Sequence, residues 1–94
     1  MLRLDSKTAL LIDDEMKSIP EKYHKPFNSV HEALGVIREE YLELEQEIFF
    51  GEKQAQKEMD FFDEGQTAKE VNRLRIKKEA IQVAAMCARL IQEL

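Results

Sequence analysis

Ninety-four residues, 44% apolar and 35% charged with a formal net charge of −5, set the expectation of one folded domain spanning 1–94. No apolar run approaches the roughly 18 residues of a transmembrane helix, and no basic-then-apolar leader opens the chain, so a cytoplasmic protein without a membrane partner is expected. One cysteine, Cys87, excludes an internal disulfide and a multi-cysteine zinc site.

Three glycines and two prolines leave little punctuation, and no run alternates in the manner of a strand, so the expected class is all-α. The first helix is predicted from Ser6 to Lys17. Leu4, Thr8, Leu11, Ile12, Met16 and Ile19 follow helical spacing, and Asp5 or Ser6 can cap the start. Pro20 and Pro26 then interrupt the pattern.

The second helix opens on Ser29-Val30-His31-Glu32, a capping box with serine at the cap and glutamate three residues on. Val30, Ala33, Leu34, Ile37, Tyr41, Leu44 and Ile48 form its apolar stripe. Gly51 is expected just past its end, giving a helix of about 31 Å. Residues 52–65 read either as an extension or as a short separate helix, with Gly65 as the break. Thr67-Ala68-Lys69-Glu70 is a second capping box, and no breaker follows before Leu94, which predicts a third helix of about 40 Å.

That third helix is apolar on two sides. Leu74, Ile81, Ala84, Ala85, Ala88 and Ile91 lie on one, and Ile76, Val83, Met86, Cys87, Leu90 and Leu94 on the other. A helix apolar nearly all round is a buried helix. With two other helices per chain, the expected architecture is an antiparallel helical bundle completed by oligomerisation, as a homodimer or homotetramer.

Charge is uneven. Residues 1–65 carry a balance of −8 and residues 66–94 a balance of +3, which gives no basic stripe for a nucleic-acid polymer. The acidic part concentrates in Glu39-Glu40-Tyr41-Leu42-Glu43. At 100° per residue Glu40, Glu43 and Glu47 share one side of the helix, flanking the apolar stripe, whereas Glu39 points away from it. Carboxylates at i and i+3 repel unless they share a cation, and hard oxygens suit Mg²⁺. The competing reading is a solvated acidic face. Glu79 stands in line with Val83, Met86 and Leu90, and an isolated carboxylate in an apolar stripe is costly unless paired or metal-bound. Gln82 follows on the same flank. A salt bridge from Glu79 to Arg75, Lys77 or Lys78 is the competing arrangement.

EEYLE followed by KEAIQVAAMCARLI resembles the MazG-like superfamily of all-α nucleotide pyrophosphohydrolases, whose pattern is E-E-x-x-E on one helix and E-x-x-D on a later one. Glu39, Glu40 and Glu43 complete the first element. Glu79 opens the second, in which Gln82 stands where the family has aspartate. The resemblance spans about residues 29–94. It implies a MazG-like helical bundle that binds Mg²⁺, with Mn²⁺ as an alternative, and hydrolyses nucleoside triphosphates to monophosphate and pyrophosphate. By the same resemblance Glu40, Glu43, Glu79 and Gln82 are metal ligands and Glu39 assists the water. Lys77 and Lys78, or Arg75, would hold phosphate oxygens. Asp60, Asp63 and Glu64 read as a solvated loop, with replacement of the charge missing at Gln82 as the alternative. A second reading, favoured by Gln82, is a weakly active or inactive helical oligomer that binds a nucleotide or another protein. His24 and His31 lack metal-ligand partners, Cys87 reads as a small apolar residue, and Phe49, Phe50, Phe61 and Phe62 read as core or interface.

Overall fold

The computed structural model describes residues 3–18, 26–59 and 65–94, which form three helices: α1 (Ser6–Ser18), α2 (Val30–Lys57) and α3 (Ala68–Glu93). No strand occurs among the described residues, and no helix is long and apolar enough to cross a membrane. Ile19, Pro20, His24, Asp60, Phe61, Phe62, Asp63 and Glu64 lie outside the described residues.

Each helix begins where a side chain can take up a free backbone N–H. Asp5 accepts from the Thr8 N–H at 2.6 Å, and this bond holds its carboxyl below the usual range. Ser29 accepts from the Glu32 N–H and Thr67 from the Glu70 N–H, both at 3.1 Å, as the two capping boxes require. Gly65 has φ of +90°, the left-handed region that a side chain disfavours, and so serves as the expected break.

The second helix runs longer than its glycine suggests. Gly51 does not terminate it: the helix continues to Lys57, and Gly51 is buried against α3. A Cβ at Gly51 would collide with the side chains of Glu47 and Asn72. Glycine is therefore placed for close approach between helices. Asn72, also buried, spends its amide on Glu47, donating to the backbone carbonyl and to Oε1, each at 3.0 Å. Among the described residues Ala33, Ala55, Ala68 and Ala85 are the buried apolar ones. Small side chains thus let the backbones approach.

Two ties give α2 and α3 their direction. Asn72 meets Glu47, while near the other ends the Phe27 N–H donates to Glu93 and the Arg89 guanidinium sits 4.0 Å over the Phe27 ring. The helices are therefore antiparallel. α1 packs on α3 rather than on α2, so α3 is the central helix. Both apolar sides of α3 thus have a neighbour within the chain. Leu74 and Ile81 line a groove with Leu11 of α1, while the other face meets α2. Neither neighbour covers it fully: Leu74 and Ile91 stay more than half exposed, and α3 is not a buried helix within the chain. Nor does the apolar stripe of α2 act as one unit. Ala33, Ile37 and Leu44 are shielded to differing degrees, whereas Val30, Leu34, Tyr41 and Ile48 remain exposed. The radius of gyration is 15.5 Å, against about 13 Å for a compact chain of this length.

The Gly51 contact generates a test with a sign change. Gly51→Ala should gain up to about 1 kcal/mol of helix propensity. It should lose about 1–3 kcal/mol when the Asn72 amide is driven off its buried partners. Urea unfolding should therefore show net destabilisation in the wild-type background and stabilisation in an Asn72→Ala background.

Candidate metal centre

The register set at Asn72 carries along the helix pair. Glu79 lies seven residues after Asn72, and Glu40 seven residues before Glu47. Two helical turns beyond the Asn72–Glu47 contact, antiparallel packing therefore brings Glu40 and Glu79 opposite each other. Glu43 joins them from one turn along α2, and single carboxylate oxygens of Glu40, Glu43 and Glu79 lie within 4.8 Å of one another.

No ion pair to Glu79 occurs among the described residues. The expected salt-bridge alternative is not the arrangement seen. Arg75 instead meets Glu58 at 2.9 Å, where Glu58 also accepts from Gln54, and these bonds hold the Glu58 carboxyl below its usual range. Burial pushes the Glu79 carboxyl up, with further upward contributions from the charge of Glu43 and a hydrogen bond to it; Lys78 opposes the rise. Burial likewise raises Glu40, followed by the charges of Glu43, Glu79, Glu39 and Glu15. Glu15, on α1, is a contributor that the helical pattern alone did not single out; nothing in the sequence indicates which side of α3 receives α1.

Gln82 spans the two helices. With its nitrogen turned toward the carboxylates, it donates to Glu40 Oε2 and Glu79 Oε2, each at 3.0 Å. The opposite orientation would set the amide oxygen against two carboxylate oxygens, an arrangement that needs a cation among them. The position that departs from the E-x-x-D pattern thus faces the same point as the glutamates.

The other expected residues are more dispersed. Glu39 is exposed and outside the converging trio, although its charge acts on Glu40. Lys77 and Lys78 line the groove between α1 and α3, together with Lys7, Asp14 and Glu15. On the α2 side of the trio, Glu43, Gln46, Glu47, Phe50, Gln54 and Glu79 line an open groove of about 290 Å³. Phe50 is thus an aromatic side chain beside the carboxylates. Cys87 is partly buried and free.

The donor set fits a hard divalent cation. In octahedral Mg²⁺, with oxygens at about 2.1 Å, neighbouring ligands stand about 3.0–4.2 Å apart. A spread of up to 4.8 Å requires the side chains to close by up to about 1.8 Å for ligands at right angles, a shift within reach of glutamate rotamers. Compared with protein-family models, curated proteins and solved structures, the chain has no significant match.

The upward shifts at Glu40 and Glu79 set the sign of a pH effect. A carboxyl whose folded pKa is raised stabilises the fold below its unfolded value, and that contribution is lost as pH rises through the folded value. In metal-free buffer, the contribution from this cluster should therefore fall as pH rises from the ordinary carboxylate range toward neutrality. Asp5 and Glu58, held low, act in the opposite direction at more acidic pH. Thermal melts across this window should show a flatter pH dependence in Glu40→Gln than in the wild type.

Proposed function

We propose that the chain is a Mg²⁺-dependent nucleoside triphosphate pyrophosphohydrolase of MazG-like type, working as a homo-oligomer. The observation carrying this reading is the convergence of Glu40, Glu43 and Glu79 from two helices, at the positions where the chain resembles E-E-x-x-E and E-x-x-D. Self-association is supported by the want of any fully buried large side chain among the described residues.

In this reading Glu40, Glu43 and Glu79 hold the cation, and Gln82 turns its amide oxygen inward to join them. The bound cation would polarise phosphate oxygens and lower the pKa of water. Water adds across the α–β phosphoanhydride bond, giving monophosphate and pyrophosphate with release of a proton. Glu39, exposed at the edge of the cluster, would orient that water. Lys78, whose charge is felt at Glu79, is placed better than Arg75 to meet phosphate oxygens, since Arg75 is engaged by Glu58. Lys77 would act from the same groove. Phe50 offers an apolar surface beside the carboxylates.

One observation favours a second reading. The Gln82 amide can satisfy Glu40 and Glu79 without a cation. A helical oligomer that binds a nucleotide or protein, with weak or no catalysis, is compatible with that bond. The two readings separate in a panel of nucleoside triphosphates with Mg²⁺ or Mn²⁺, with monophosphate and pyrophosphate assayed separately. Equimolar release of both products supports the enzyme, and no turnover across the panel rejects it.

Two substitutions test the cation set. Mg²⁺ should raise the melting temperature of the wild type by mass action, and Glu43→Gln should abolish that rise. Gln82→Asp should lower metal-free stability, because it adds a carboxylate and removes the N–H donor. It should also tighten Mg²⁺ binding and increase turnover, since affinity follows ligand charge. Calorimetry that finds the same Mg²⁺ affinity in Gln82→Asp and wild type would place residue 82 outside the ligand set.

A further inference from the structure

The face of α2 turned away from the acidic cluster carries a pattern that neither the fold nor the metal centre uses. Val30, Leu34, Tyr41, Leu42, Ile48 and Phe49 are each at least half exposed. At 100° per residue they occupy one arc of about 120°, roughly opposite Glu40, Glu43 and Glu47. Leu34, Tyr41 and Ile48 recur every seven residues, as do Leu42 and Phe49, the spacing of helices that pair along their length. Arg38 and Glu45 lie in the middle of this arc, and neither belongs to an ion pair among the described residues.

We propose that this face binds the same face of a second copy, with the two α2 helices antiparallel about a twofold axis passing between Tyr41 and Leu42. The proposal specifies the surface for the self-association put forward above and is independent of the hydrolytic chemistry. One register matches all of the face except Val30 at its end, which falls opposite Lys53. It sets Tyr41 against Leu42 of the second copy, Leu34 against Phe49, Arg38 against Glu45, and His31 against Glu52. In these pairs the large apolar side chains meet each other, and arginine and histidine each meet a carboxylate. The axis that defines this register also points along the centre of the exposed arc, so residue matching and facing direction agree. Such self-complementarity is the property an isologous interface needs and selects a second copy over an unrelated partner.

Gly35 supplies a separate observation. Glycine weakens a helix interior, yet among the described residues a Cβ at Gly35 would meet nothing within 4 Å beyond its own helix backbone. No packing contact among the described residues requires glycine there. In the proposed register Gly35 lies opposite Ile48 of the second copy, where a missing side chain leaves a seat for the isoleucine.

Charge reversal tests the register through sedimentation equilibrium on the full chain at micromolar concentration. The wild type should sediment at twice 11.0 kDa or a multiple of that dimer mass. Arg38→Glu sets carboxylate against carboxylate at both symmetry-related contacts with Glu45, and Glu45→Arg sets guanidinium against guanidinium at both. Each should weaken pairing about tenfold or more. Mixing the two variants should restore it, because each of the two contacts across the axis then joins one carboxylate to one guanidinium group. Rescue on mixing separates a broken interface from a variant that fails to fold. A wild type that stays at 11.0 kDa overturns both this interface and self-association. Undiminished pairing of Arg38→Glu, or no rescue in the mixture, overturns this surface alone. The readout involves no metal or nucleotide, so failure here leaves the hydrolase reading to its own assay.

Discussion

The contact of Gly51 and Glu47 with Asn72 sets the geometry of the helix pair. A glycine lets α2 and α3 approach, and the Asn72 amide fills the contact with two hydrogen bonds to a single residue of the facing helix. A buried amide is costly when unpaired, so sliding α3 along α2 would forfeit both bonds at once. Apolar packing alone resists such sliding less, because the buried seam is made of alanines that differ little from one register to the next. The polar contact therefore specifies alignment in a seam whose small side chains provide closeness.

Alignment at this contact has an electrostatic consequence two turns away. Glu40 and Glu79 are brought opposite each other with Glu43 beside them, and burial together with mutual repulsion disfavours their ionised forms. Cohesion elsewhere in the pair must offset that cost. With its nitrogen turned toward them, the Gln82 amide relieves part of it by donating to two of the carboxylates. Whether a cation takes over this role is the point on which the proposed chemistry turns. The same side chain can answer to either state, because an amide presents a donor at one end and an acceptor at the other.

The faces of α2 have different uses. One, with Ala33, Gly51 and Ala55, meets α3; beside it stand the acidic residues; the remaining arc holds large exposed apolar groups. α3 is shared between α1 and α2, and neither neighbour encloses it. Two helices packed on a central one present too much surface for their number to enclose. The radius of gyration reflects that arrangement.

Local chemistry made the helices legible in the sequence. Ser29–Glu32 and Thr67–Glu70 marked two starts, Gly65 marked a break, and helical spacing put Glu40 and Glu43 on one flank of α2 and Glu79 and Gln82 on one flank of α3. These features depend on residues within about one turn of each other, whose relations any helix fixes. Gly51 misled for the same reason: read locally, glycine ends a helix, and only the nearness of Asn72 gives it another purpose. The division of α3 between α1 and α2, the charge of Glu15 near Glu40, and the meeting of Glu79 with Glu40 and Glu43 were likewise decided by tertiary packing. They depend on the relative position of helices distant in sequence, which the period of each helix taken singly does not determine.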